Sequence, residues 1–100
     1  MKAELTDFGI TKIAEMFPSL NQAEGIWPWN PERLDVWASE LGRTDVEVHT
    51  ARYVLKIWNG DMEWACGVFD QNAALKCWDQ THLNAYMKAD SIANFMRPSS

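Results

Sequence analysis

The chain has 100 residues, enough for one hydrophobic core and too few for two, so a single domain is expected. With 47% apolar residues, 23% charged residues and only nine glycines and prolines, the composition excludes a disordered or fibrous chain. No apolar run approaches the roughly 18 residues of a membrane helix, and Met1-Lys2-Ala3-Glu4-Leu5 lacks the apolar core of a secretion signal, so a cytoplasmic location without membrane contact is expected.

The net charge of −5 is unevenly placed. Residues 1–50 carry four basic and nine acidic side chains, whereas residues 51–100 carry five of each, so the whole excess lies in the first half. An acidic face repels nucleic acid and attracts basic protein surfaces. Such a face also serves simply to keep a small domain in solution.

From Asp7 to Phe17, the residues Phe8, Ile13, Met16 and Phe17 can share one helical face, and Pro18 blocks continuation. Residues 18–30 contain Pro18, Gly25 and Pro28 together with Trp27 and Trp29, and hold neither a helical nor a strand period, which predicts a loop bearing two large aromatics. Asn30 suits an N-cap and Pro31 a first helical position. Leu34, Trp37, Ala38 and Leu41 then follow an i, i+3, i+4, i+7 pattern, and Gly42 is placed to end the helix as its C′ residue.

Thr44 and Glu47 have the spacing of a capping box, opening a helix through Trp58 that Asn59-Gly60 terminates. Its apolar residues Val54, Leu55, Ile57 and Trp58 cover more than one face, which predicts a central position. Met62, Trp64 and Cys66 form a short helix-like stretch interrupted by Gly67. Asp70 is an N-cap for a helix through Trp78, with Ala74, Cys77 and Trp78 facing inward and Phe69 packing across its start. Asp79 or Thr81 starts a last helix with Leu83, Tyr86 and Met87 as its apolar stripe, Asp90-Ser91 as a break, Pro98 as its end and Ser99-Ser100 as fraying residues. With no alternating strand-like run and no repeat, the expected fold is all-α, a compact bundle of about five short helices.

Chemistry-bearing constellations are scarce. Cys66 and Cys77 fit neither a CxxC pair nor a four-ligand zinc set, and are expected to be reduced, semi-buried thiols, with a disulfide as the alternative. His49 and His82 lie in no metal-ligand spacing, and surface or capping roles are expected for both. The five glycines are isolated, which leaves no phosphate-binding loop. The expectation is therefore a non-enzymatic protein without metal or cofactor.

Ala38, Leu41, Gly42 and Val48, within the segment Val36 to Val48, occupy the small, apolar, turn and apolar positions of a helix-turn-helix, which this stretch resembles. The resemblance implies a second helix presented to DNA. Against that reading, Arg43 stands where an apolar turn residue is usual. The would-be recognition helix also opens Thr44-Asp45-Val46-Glu47, setting two carboxylates against phosphates that lysine or arginine would have to neutralise.

Six tryptophans are many for this length. Trp37, Trp58 and Trp78 lie on apolar helical faces and are expected in the core. Trp27 and Trp29, two apart between prolines, either cover one end of the bundle or serve as exposed binding anchors. In its size, acidity and helical pattern the chain resembles phage and prophage accessory proteins, anti-CRISPR inhibitors among them. That resemblance implies an inhibitor docking on a basic, nucleic-acid-binding surface of a protein or nucleoprotein partner, with Trp27, Trp29, Glu32, Asp35, Glu40, Asp45 and Glu47 as the contact. A DNA-binding regulator and a small self-associating structural protein are the alternatives.

Overall fold

Side-chain acceptors for the first free N–H groups set where the helices begin. The structure, a computed structural model, describes residues 7–60 and 63–96. Met1-Lys2-Ala3-Glu4-Leu5, Met62, Pro98 and Ser99-Ser100 lie outside the described residues, as do the side chains of Asp7, Phe8 and residues 94–96. The elements are α1 (Asp7–Glu15), a 3₁₀ turn (Pro18–Leu20), α2 (Pro31–Ser39), α3 (Asp45–Trp58), α4 (Gln71–Cys77) and α5 (Gln80–Met96). Asn30 Oδ1 accepts from Arg33 N at 3.2 Å ahead of α2. Thr44 and Glu47 exchange both bonds of a capping box, at 3.2 and 2.8 Å, ahead of α3. Asp70 Oδ1 accepts from Ala73 N at 3.3 Å ahead of α4, and Asp79 Oδ1 accepts from His82 N at 2.9 Å ahead of α5. No strand occurs among the described residues, and the protein is a small all-α, single-domain bundle.

The helix ends depart from expectation more than the starts. α1 stops at Glu15 and not at Phe17, because the ring of Pro18 drives the residue before it into extended backbone, and Phe17 has φ −102° and ψ 114°. α2 stops at Ser39, two residues short of Leu41, with Glu40 already extended and Gly42 beyond the cap. Side chains close this end. Ser39 Oγ donates to Asp35 O at 2.8 Å, and Arg43 Nε donates at 2.9 Å to Trp37 O, a carbonyl that another helical turn would have used. Leu41, expected on the core face, is therefore fully exposed. Residues 63–69 form a turn, with Gly67 N donating to Trp64 O at 3.0 Å, and not a helix-like stretch.

α5 runs unbroken through Asp90 and Ser91. Its buried stripe is His82, Ala85, Ala89 and Ala93, while Leu83 and Tyr86 are half-buried and Met87 is exposed, against the expected Leu83, Tyr86 and Met87 face. Small side chains at i, i+4 and i+8 let the helix backbone come close to the body, which larger residues would hold off.

α3 is central, as its two-faced pattern implied: Thr50, Ala51, Tyr53, Val54, Leu55 and Ile57 are all buried. Around it Phe17, Tyr53, Phe69, Trp78 and Tyr86 form one aromatic cluster. Phe17 lies 5.8 Å from Tyr53 and 5.9 Å from Trp78, and Tyr53 lies 5.1 Å from Phe69 and 5.0 Å from Tyr86. Edge and tilted pairs of this kind contribute about 0.5–1.5 kcal/mol each beyond the area they bury. Phe69, ahead of α4, stacks at 6.0 Å on Trp78, the residue that caps the far end of that helix.

A fully buried hydroxyl sits inside this apolar shell. Thr50 Oγ1 donates to Val46 O at 2.6 Å and accepts from Trp78 Nε1 at 2.9 Å and Ser19 Oγ at 3.2 Å. Replacing Thr50 by valine keeps the shape and strands both outside donors, so Thr50→Val is expected to lower stability by about 2–3 kcal/mol. Thr50→Ser keeps the hydroxyl and should lose distinctly less in chemical denaturation.

Candidate functional site

The Trp27 and Trp29 pair is split by the fold. Gly25 and Asn30 close the loop, with Asn30 N donating to Gly25 O at 2.7 Å. Gly25 has φ +87°, and a Cβ there would run into Asn30 O and Leu34 N, so only glycine fits. Thr11 Oγ1 donates to Ile26 O at 3.0 Å and fastens the loop to α1. Ile26 and Trp29 then point inward while Trp27 and Pro28, joined by a cis peptide, point out.

Trp29 is only 9% exposed and meets Trp58 edge-on at 5.4 Å, so it covers one end of the bundle and is not an exposed anchor. Trp27 is 51% exposed. It forms one side of an open groove of about 410 Å³ whose other walls include Thr11, Lys12, Glu15 and Pro28. Thr11, Lys12 and Glu15 reach this surface through the packing of α1 on the loop, which no local pattern in the sequence reveals.

The five proposed carboxylates are not gathered beside Trp27. Glu32 and Glu40 stand at opposite ends of α2, about 12 Å apart along its axis. Asp35 accepts from Ala65 N at 2.9 Å and Cys66 N at 2.8 Å, so it holds the 63–69 turn against α2 and is committed to the fold. Glu40 pairs with Arg43 at 2.9 Å, and Glu47 closes the capping box of α3. Glu32 and Asp45 have exposed side chains with no ion pair among the described residues, but Asp45 belongs to the far end of the α2–α3 unit. Near Trp27 the available carboxylates are Glu15 in the groove and Glu24 and Glu32, which flank the closed loop.

The helix-turn-helix-like segment folds as two helices joined by residues 40–44. Arg43 occupies the turn, lying 4.1 Å over the Trp37 ring while bonding Trp37 O and Glu40. α3, the helix that would enter a groove of DNA, opens on the exposed Asp45 and buries Thr50, Ala51, Tyr53, Val54, Leu55 and Ile57.

His82, for which a surface or capping role was expected, is buried at the start of α5, where its backbone N donates to Asp79 Oδ1. Its Nε2 accepts from Ser19 N at 3.4 Å, with Ser19 Oγ 2.9 Å away, and its Nδ1 lies 2.8 Å from Asp79 Oδ1. The carboxylate can only accept, so Nδ1 carries the proton between them. Serine, histidine and aspartate in this order match the connectivity of a hydrolytic triad, yet the exposure runs the wrong way for one. Asp79, with its side chain 70% exposed, faces solvent, while Ser19 donates inward to buried Thr50 and does not meet a substrate. The arrangement is a clasp joining the 3₁₀ turn, α3 and α5. Residues 19, 50, 79 and 82 share no local spacing, so the sequence does not reveal it.

His49 is half-buried, with Nδ1 enclosed and without a hydrogen-bond partner among the described residues. Among the described residues no three His, Cys, Asp or Glu side chains are placed to hold a metal ion. Cys66 and Cys77 are free thiols. Burial, and then the Asp35 carboxylate, pushes the Cys66 thiol up to about 12, which keeps it from acting as a thiolate near neutrality. Burial raises Cys77 as well.

No protein-family model, curated protein or solved structure matches the chain, so fold and surface chemistry define its class: a small all-α bundle with one half-exposed tryptophan on a fastened loop. No helix among the described residues is long and apolar enough to cross a membrane.

Hydrogen bonds from the His82 backbone, and then from its ring, hold the Asp79 carboxyl below the usual carboxylate range. A carboxyl more acidic in the folded chain than in the unfolded one favours folding above its unfolded pKa, and that contribution disappears as pH falls through the folded value. Melting temperature is therefore expected to drop as pH is lowered below about 4. In Asp79→Asn, which keeps an acceptor oxygen but cannot ionise, that part of the acid dependence should be missing.

Proposed function

We propose that this chain is a non-enzymatic protein-binding inhibitor of the phage accessory kind, the reading to which anti-CRISPR proteins lend their analogy. It docks Trp27 and the neighbouring carboxylates on a basic, nucleic-acid-binding surface of a protein or nucleoprotein partner. The half-exposed indole of Trp27 carries this reading, because a large aromatic on a loop tied at both ends loses little conformational freedom when a partner covers it.

Glu15, Glu24 and Glu32 supply the charge at that end of the molecule. Charge of this kind mainly speeds encounter, and burial of the aromatic slows release. Trp29, Asp35, Glu40 and Glu47 stay outside the contact, since each is engaged within the fold. Asp45 is held apart by the length of α2.

Affinity capture from bacterial lysate at low salt tests the reading with paired variants. Trp27→Ala should weaken capture of a basic partner by about 2 kcal/mol, roughly 30-fold, at an unchanged melting temperature. Glu24→Lys with Glu32→Lys should slow association and remove most of its salt dependence. Capture of the same partner by folded Trp27→Ala at the unsubstituted strength would sink the proposal.

A further inference from the structure

The C-terminal half of α3 and the turn at 63–69 form a second, smaller cleft of about 140 Å³ with two cationic side chains in its walls, whereas the Trp27 groove holds one lysine and one glutamate. Its walls include Arg52, Lys56, Trp64, Gly67, Val68 and Phe69, and it shares no lining residue with the groove. We propose that this cleft binds an oxyanion, a phosphate or carboxylate group, through Arg52, Lys56 and the indole N–H of Trp64.

Arg52 and Lys56 stand at i and i+4 of one helix, where two like charges repel and cost a few tenths of a kcal/mol. In a chain with an excess of five acidic charges, neither has a carboxylate within ion-pair distance among the described residues. Both are nonetheless held at the cleft. Arg52 Nε donates to Cys66 O at 2.6 Å, which leaves the terminal nitrogens of the guanidinium to serve an acceptor. Lys56 Nζ lies 5.5 Å from the centre of the Phe69 ring.

Gly67, with φ +103°, makes room for this placement. A Cβ there would come within 2.7 Å of Arg52 Nη2, so the guanidinium rests against bare backbone. Trp64 Nε1 is enclosed and has no hydrogen-bond partner among the described residues. An enclosed N–H without an acceptor is costly, and the missing acceptor matches the missing counter-charge. Two cations and an orphaned donor therefore line one cleft, and an oxyanion supplies what all three lack.

Size and surroundings narrow the ligand. Whole cofactors and drug-sized molecules occupy pockets of about 300–1,000 Å³, so this cleft takes a charged group and not a nucleotide. Val68 and the Phe69 ring add an apolar wall beside the two cations.

The test is an NMR titration of the ¹⁵N-labelled full chain near pH 7 with sodium phosphate, sodium acetate or sodium chloride at matched ionic strength. The Trp64 indole resonance is assigned from Trp64→Phe. The Trp64 indole and the Gly67 amide are expected to shift saturably with phosphate or acetate, and whichever of the two binds more tightly identifies phosphate or carboxylate as the favoured oxyanion. Lys56→Met, whose side chain is exposed and bears no structural hydrogen bond, should weaken the shift about tenfold at an unchanged melting temperature. Equal shifts with chloride, or an unchanged affinity in Lys56→Met, would overturn the proposal. The Trp27 variants leave this outcome untouched, so the two readings fail separately.

Discussion

The hydroxyl of Thr50 is the interaction on which the bundle depends. It lies fully buried in the middle of α3 and accepts from Trp78 at the end of α4 and from Ser19 in the 3₁₀ turn, which in turn meets His82 of α5. In an apolar interior each of these polar groups is expensive unless partnered, so the chain of bonds is worth having only complete. Completeness requires four segments to arrive in register. The rings of Phe17, Tyr53 and Trp78 pack on one another around the buried Thr50–Trp78 bond. Trp78 serves both systems, with its ring in the cluster and its N–H in the polar chain.

That arrangement governs what remains on the surface. Trp29, Trp37 and Trp78 are absorbed into the core and Trp58 packs against Trp29, leaving Trp27 as the exposed indole. The acidic residues are similarly sorted. Those that cap helices or hold turns are committed, and Glu32 and Asp45 stay available. The basic residues of α3 show the reverse pattern, because Arg52 and Lys56 are positioned by the 63–69 turn without being neutralised by it. The molecule thus presents an aromatic and acidic region at one loop and a cationic cleft at another.

Arg43 shows how one local motif serves a different end. In a DNA-reading helix pair the turn is apolar and the second helix is free on one side. Here the turn carries an arginine that caps α2 through Trp37 O, stacks on Trp37 and pairs with Glu40. α3 meanwhile turns Thr50, Ala51, Tyr53, Val54, Leu55 and Ile57 into the core. Helical shape and turn length are common to both designs, and which face of the second helix stays open is a property of the whole packing.

Much of this was legible in the chain itself. The starts of α2, α3 and α4 follow from Asn30, Thr44 with Glu47, and Asp70, because a cap joins groups three residues apart and needs nothing from elsewhere. The central place of α3 follows from its two apolar faces, and the all-α class from the absence of any strand period. Helix ends were less legible, since Arg43 and Ser39 close α2 early and expose Leu41, and the alanines of α5 displace the bulkier stripe formed by Leu83, Tyr86 and Met87. The sequence by itself determined where helices begin and that no sheet forms, because those choices rest on neighbours along the chain. Only the tertiary structure decided that Trp29 goes in and Trp27 stays out, that Asp35 becomes a structural acceptor, and that Arg52, Lys56 and Trp64 share a cleft. Each of these depends on surfaces brought together from distant positions, and the free energy of burying a ring or satisfying an N–H is set by those surfaces and not by the residue alone.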